Sequence, residues 1–319
     1  MGNEATGHPQ VSPTSARRRT VMDRRPTTLR RTLWLVIGLL VVLVVAGCGG
    51  GRPAAPDAQV ADDPGLVHVH GLGINPRDDM LYAATHTGLF TVRDGAASRV
   101  GDRYQDTMGF TVVGADHFLG SGHPDFRDTQ LYQPDRRPLL GLIESRDAGR
   151  SWQPLSLLGE ADFHALQVAH GHVYGYDATG GRFMISGDRR HWQVRSELAL
   201  ASFAVSPTDP ELVVAATQRG LGRSRDGGRS WQPVGGPAAL LLDWQRPDAL
   251  WAMTDKGQLW HSKDAGGSWV QRGKLNGQPE AFLAHGADLY VAVAQLGIVT
   301  SADQGRTWRM LYQPALPAG

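Results

Sequence analysis

The sequence predicts an all-β protein, a β-propeller of six blades with four antiparallel strands each. A motif of the form Ser-x-Asp-x-Gly-x-Ser/Thr-Trp recurs along the C-terminal half, and 40 glycines with 19 prolines separate short apolar segments. The copies begin at Ser145, Ser186, Ser224, Ser262 and Ser301, which lie 41, 38, 38 and 39 residues apart. A repeat of about forty residues is typical of propellers and solenoids.

Each repeat contains four short strand-like segments. In the fourth unit these are SFAVSP, ELVVAATQRG, LGRS and SWQPV, with the turn RDGGR before the last one. Four short strands in one unit predict a propeller blade. The six units begin near Leu66, Asp106, Asp162, Ser202, Leu241 and Ala281. A seven-bladed propeller is the alternative, if the N-terminal tether or an insertion at residues 126–137 supplies strands.

The recurring motif has a structural role that needs no substrate. An aspartate at a tight turn accepts hydrogen bonds from backbone amides, glycine adopts the turn conformation, and tryptophan buries a large ring. We therefore expect a structural role in the turn between the third and fourth strands for Asp147, Asp226, Asp264 and Asp303.

The residues ahead of the propeller predict export. Seven arginines precede an apolar run at residues 33–47, which is short for a membrane-spanning helix but suits the core of a signal peptide. The run ends in Val-Ala-Gly-Cys and resembles the lipobox of bacterial lipoproteins, which implies a lipid on Cys48. The alternative is an uncleaved anchor helix.

The predicted organisation has three parts. Residues 1–47 form the signal peptide, residues 48–65 the lipidated cysteine and a flexible tether, and residues 66–319 the propeller. The expected location is extracytoplasmic, with the lipid of Cys48 in the bacterial cytoplasmic membrane or in the outer membrane.

The charge argues against a nucleic-acid partner, and the cysteine content excludes a disulfide or a multi-cysteine metal site within one chain. The formal net charge is +1, and because seven arginines lie ahead of the apolar run, the rest of the chain is acidic on balance. That balance argues against a nucleic-acid partner. Cys48 is the only cysteine, so neither a disulfide nor a multi-cysteine metal site can form within one chain.

Candidate site residues concentrate at one mouth of the predicted propeller. The start of each innermost strand and the end of each second strand lie at the same end of a blade, opposite the recurring turn. In the first three units these positions hold His68, His70, His86, Asp106, Met108, His123, Asp125, Glu160, Asp162 and His164. Units four to six place Ser202, Gln218, Leu241, Asp255 and Gln295 there.

The histidines at this mouth indicate a metal or proton-transfer site. His68 and His70 are two apart on a predicted strand, which directs both side chains to one face. Together with His86, His123 and His164 they form a candidate zinc or copper site, and Met108 is a candidate soft ligand that favours copper. The alternative is that the histidines satisfy buried backbone groups and Met108 packs in the core.

The segments HVHGLGINP, YAATHTGLF, DTMGFT, GSGHPD and GEADFH, followed by the repeated motifs, resemble BNR or Asp-box propellers. They are similar to bacterial secreted propellers described as glycosyl hydrolases of the sialidase-like type. The resemblance implies a glycan or cell-envelope ligand at the mouth, with Glu160, Asp162 and Asp125 as candidate catalytic carboxyls if the ligand is hydrolysed.

Sialic-acid cleavage itself is not expected. Sialidases hold the substrate carboxylate with three arginines, one of them in a Phe/Tyr-Arg-Ile-Pro motif that this sequence lacks. Three hypotheses remain: a propeller that binds or hydrolyses a glycan, a non-enzymatic metal-binding propeller, and a platform that recruits a protein partner.

Overall fold

The computed structural model describes residues 63–314, and they form a six-bladed β-propeller. Every blade is a four-stranded antiparallel sheet, and no helix occurs in this range. The six-bladed prediction is confirmed, and the seven-bladed alternative is wrong because the insertion at 126–137 forms no strand. The predicted signal peptide, Cys48 and the tether up to residue 62 lie outside the described residues. Residues 63–314 contain no helix that could span a membrane.

The strands follow one another blade by blade. Blades one to three consist of β1 (Val69–Asn75), β2 (Met80–Thr85), β3 (Gly88–Arg93), β4 (Ala96–Arg99), β5 (Asp106–Gly114), β6 (His117–His123), β7 (Leu142–Ser145), β8 (Gln153–Ser156), β9 (Phe163–Ala169), β10 (His172–Asp177), β11 (Arg182–Ser186) and β12 (Gln193–Glu197). Blades four to six consist of β13 (Leu200–Val205), β14 (Val213–Thr217), β15 (Gly220–Ser224), β16 (Gln232–Val234), β17 (Ala239–Arg246), β18 (Ala249–Thr254), β19 (Gln258–Ser262), β20 (Val270–Lys274), β21 (Pro279–His285), β22 (Asp288–Val293), β23 (Gly297–Ser301) and β24 (Arg309–Tyr312).

The apolar core lies between the blades. Six clusters of buried apolar residues each join two consecutive blades, including the last and the first. Between blades three and four, for example, the ring of Phe183 meets Phe203 edge-on at 5.0 Å and Trp231 at 5.5 Å. Each blade therefore depends on both neighbours for the burial of its two faces.

The recurring turns share one hydrogen-bond pattern. In the four complete copies the serine Oγ donates to the aspartate at 2.7–2.8 Å and accepts the glycine N–H at 2.8 Å. The aspartate also accepts hydrogen bonds from the Ser or Thr that precedes the tryptophan, and these lower the pKa of Asp226, Asp264 and Asp303 to about 2. The carboxylates of these aspartates thus serve as hydrogen-bond acceptors within the turns.

The inner strands surround a channel with a volume of about 690 Å³. Side chains on three of these strands accept a backbone N–H from the next inner strand. The contacts are Gln167 with Val205 at 2.9 Å, Ser202 with Leu242 at 3.2 Å and Asp243 with Ala284 at 2.9 Å. Burial raises the pKa of Asp243 to about 7. The channel wall thus contains a carboxyl group that titrates near neutral pH.

The turn geometry predicts that the same Ser→Ala substitution costs more stability in a complete copy of the motif than in the incomplete copy at Ser186. Ser224→Ala leaves the Gly228 N–H without its partner, so we expect a loss of about 1–3 kcal/mol in the free energy of unfolding. Ser186→Ala removes only one longer contact, 3.3 Å to Asp188, and is the matched control with a smaller loss. Urea denaturation measures both, and equal losses would contradict a stabilising role of the complete motif.

The raised pKa of Asp243 predicts a change in the pH dependence of stability. The folded state keeps a proton that the unfolded state releases between about pH 4 and 7, so wild-type stability falls as pH rises through that window. The stability of Asp243→Asn relative to wild type should therefore rise by roughly 3 kcal/mol between pH 4 and pH 7. Denaturation at several pH values tests this, with the exposed Asp255→Asn as control. Parallel profiles for Asp243→Asn and wild type would contradict it.

Candidate functional site at the channel mouth

A β-bulge lies near the start of every inner strand. In all six blades the register between the first and second strands skips one residue of the first strand. The skipped residues are His70, Met108, His164, Ala201, Leu240 and Glu280. Because a bulge redirects the side chain of its extra residue, these six occupy equivalent places around the mouth. The ionisable ones come from blades six, one and three.

Two histidines and one carboxylate meet closely at this mouth. His70 Nε2 lies 3.2 Å from His86 Nδ1, and Asp106 Oδ1 lies 2.8 Å from His86 Nδ1 and 3.5 Å from His70 Nε2. His86 Nδ1 carries either one proton or one lone pair, so it cannot serve both neighbours at once. Three polar atoms therefore crowd around one point, and their three mutual contacts cannot all be hydrogen bonds at the same time.

His68 completes the imidazole cluster. Its ring stacks on His86 with centroids 5.0 Å apart and meets His70 edge-on at 4.7 Å. One nitrogen from each of the three rings lies within 4.8 Å of the other two. Of the five histidines expected to bind metal, only these three converge within the described residues.

The expected reason for the pairing of His68 and His70 is wrong. His68 precedes β1 and has a φ of 48°, a left-handed conformation that costs an ordinary residue about 1–2 kcal/mol. Its Nδ1 contacts Glu280 Oε1 at 2.7 Å, while Glu280 Oε2 accepts the Val69 N–H at 3.0 Å. His68 is therefore positioned by its contact with Glu280, and not by a place on the same strand face as His70.

Glu280 is the site residue that sequence reasoning missed. The sixth unit was predicted to begin at Ala281, whereas β21 begins at Pro279. Alignment of the six units on their recurring turns places Glu280 at the position equivalent to His70 and His164. That alignment would have identified Glu280 as a site residue. The two partners are 212 positions apart in the sequence, so no local pattern links them.

Asp106 connects the cluster to blade two and stays ionised. Its Oδ2 contacts His123 Nδ1 at 3.0 Å, opposite the contacts of Oδ1. Burial alone would raise the pKa of Asp106, but hydrogen bonds from His70, His123 and His86 outweigh it and lower the pKa to about 2. Burial also lowers the pKa of His70, which keeps this ring neutral and able to offer a lone pair. The Asp106 carboxylate therefore acts as a hydrogen-bond acceptor or a metal ligand, not as an acid.

His123 and His164 belong to a separate arm on blades two and three. Asp162 Oδ2 lies 2.8 Å from His164 Nε2 and 3.7 Å from His123 Nε2. The Asp162 side chain is 6% exposed, and its Oδ1 is buried without a hydrogen-bond partner among the described residues. The arm thus joins the imidazole cluster only through His123 and Asp106.

The remaining predicted residues have other surroundings. Asp125 accepts hydrogen bonds from Arg127 and from the Tyr104 N–H, and Arg127 holds the pKa of this carboxyl well below its usual range. Glu160 is exposed on the turn before β9. Met108 is half-buried and lines the channel. Neither Asp125 nor Met108 takes part in the three-imidazole cluster.

The geometry of the cluster fits a metal ion. A triangle with sides of 2.8, 3.2 and 3.5 Å leaves a point about 2 Å from all three donor atoms, which is the length of Zn–N and Zn–O bonds. Imidazole and carboxylate donors suit zinc and Cu(II). One nitrogen of His68 lies within 4.8 Å of nitrogens of His70 and His86. Its contact with Glu280 is the kind of outer hydrogen bond that commonly orients a metal-binding histidine.

No protein-family model and no curated protein sequence matches the chain. Among solved structures, YCF48 from Cyanidioschyzon merolae is similar with a TM-score of 0.51 and 14% identity over 74% of this chain and 95% of that one. An ancestral GH74 enzyme has a TM-score of 0.50 and 12% identity over 80% of this chain and 40% of that one. YCF48 bound to D1 peptide has a TM-score of 0.48 and 16% identity over 77% of this chain and 81% of that one.

These similarities concern architecture. The chain spans less than half the length of the GH74 enzyme, and all the identities are low. The chain is a six-bladed β-propeller that shares its fold with YCF48 and with part of a glycoside hydrolase.

Proposed function

We propose that this protein is an exported, lipid-anchored propeller that binds one zinc or copper ion at the channel mouth. His70 and His86 supply nitrogen ligands, Asp106 supplies an oxygen ligand, and His68 supplies the fourth. The observation that carries the proposal is the approach of His70 Nε2, His86 Nδ1 and Asp106 Oδ1 to within 3.5 Å of one another.

The chemical identity of the donors supports this function. Three neutral imidazoles with one carboxylate would leave a bound divalent ion with a net positive charge, which favours an anionic or oxygen-rich ligand in the channel. His68 and His86 are exposed, so the ion is accessible from solvent. An accessible metal beside a channel suits a binding or scaffold role and also the activation of a bound water.

Glycoside hydrolysis has less support at this mouth. The reaction needs a carboxylic acid that keeps its proton near neutral pH. The pKa values of Asp106 and Asp125 are instead lowered by their hydrogen-bond partners. Glu160 and Asp162 stay candidate catalytic residues by prediction alone.

The proposed anchor rests on the sequence of residues 1–48. The first described residues fit a tether that reaches blade one: Asp63 pairs with Arg99, and the Thr87 hydroxyl donates to the Gly65 carbonyl. Blade one also provides His68, His70 and His86.

Metal titration of the full-length protein in detergent tests the proposal. Isothermal titration of chelator-treated protein with Zn²⁺ and with Cu²⁺ should show one bound ion per chain for at least one metal. His86→Ala and Asp106→Asn should each weaken binding by about tenfold to a hundredfold, as expected when a ligand or its close partner is lost. His285→Ala, an exposed histidine at the other end of an inner strand, is the matched control.

Two results would contradict the proposal. One is the absence of stoichiometric binding of either metal. The other is equal affinity for wild type, His86→Ala and Asp106→Asn, which would assign the ion to another part of the chain.

A further inference from the structure

We propose that the metal site, if it functions as proposed above, is a clasp that fastens the first blade to the last and closes the propeller ring. Glu280 of blade six is the positioning residue that connects the ion to this seam.

The seam between blades six and one differs from the other five in its connectivity. Each blade consists of four consecutive strands, and the chain passes directly from the fourth strand of one blade to the first strand of the next. Within residues 63–314 no segment crosses from blade six to blade one. This seam therefore relies on non-covalent contacts, whereas the others are also linked through the backbone.

Three kinds of contact hold this seam together. Apolar residues such as Val69, Leu81 and Ile298 form its buried part. Gly95, in the turn between β3 and β4, forms a parallel backbone bridge with Tyr312 of β24. At the mouth, both carboxylate oxygens of Glu280 contact blade one, through His68 Nδ1 and the Val69 N–H.

A metal ion bound to His68 would strengthen the contact between His68 and Glu280. Because His68 Nδ1 faces Glu280, Nε2 is the nitrogen left to ligate the ion. Metal binding at Nε2 makes the opposite N–H a stronger donor, which tightens the bond to the carboxylate. The Glu280 side chain is 12% exposed and that of His68 is 47% exposed, so the ion would fix the position of the more exposed partner.

The site spans more than one seam. His70 and His86 belong to blade one, Asp106 to blade two, and Glu280 to blade six. An ion bound to the first three and to His68 would tie three consecutive blades together around the start of β1. Binding free energy would then be converted into stability of the ring closure.

Hydrogen–deuterium exchange of the full-length protein, with and without saturating Zn²⁺, tests the clasp. In the wild type we expect zinc to slow amide exchange on the order of tenfold in Pro279–His285 and Val69–Asn75. The strands Phe163–Ala169 and Leu200–Val205, at a seam that the backbone crosses, should change much less.

One variant separates the clasp from the metal site. Glu280→Gln keeps an acceptor for the Val69 N–H but loses the charge that faces His68, so it should still bind Zn²⁺ and lose the zinc-dependent protection of Pro279–His285. Glu211→Gln, an exposed carboxylate paired with Arg229 in blade four, is the control and should behave as wild type.

The outcomes are distinct for the two proposals. If Zn²⁺ binds to the wild type without protecting Pro279–His285, or if Glu280→Gln retains the full protection, the clasp is refuted and the metal site stands. If Zn²⁺ does not bind to the wild type, the metal site and the clasp are both refuted.

Discussion

Burial of apolar side chains between neighbouring blades is the interaction on which the rest of this structure depends. A single four-stranded sheet has two faces, and here each face is covered by the adjacent blade. Closure of the ring covers both faces of all six sheets. It also directs six inner strands toward one axis, so residues far apart in sequence meet at a common mouth.

The bulge near the start of each inner strand converts this architecture into a site. It gives every blade one unpaired residue at the mouth, and the chemistry of the mouth follows from which residue occupies each place. Blades four and five contribute Ala201 and Leu240, while blades one, three and six contribute His70, His164 and Glu280. The polar half of the mouth thus includes the seam between blades six and one, so the proposed metal site and this seam share residues.

The spacing of the repeated turns was sufficient to predict the blades and the end at which polar residues gather. The internal arrangement of the mouth was beyond that reasoning, since it depends on contacts between distant residues. The separation of His123 and His164 from the other histidines results from Asp106 and Asp162, which lie between the rings. The left-handed conformation of His68 and its contact with Glu280 depend on closure of the ring, which a repeat pattern does not encode.

The position of a bound metal tests the central claim most directly. Anomalous diffraction from crystals of the protein grown with Zn²⁺, recorded on both sides of the zinc absorption edge, would locate the ion. The account predicts one strong peak about 2 Å from His70 Nε2, His86 Nδ1 and Asp106 Oδ1. A fully occupied peak elsewhere on the chain, or no peak at this mouth, would contradict it.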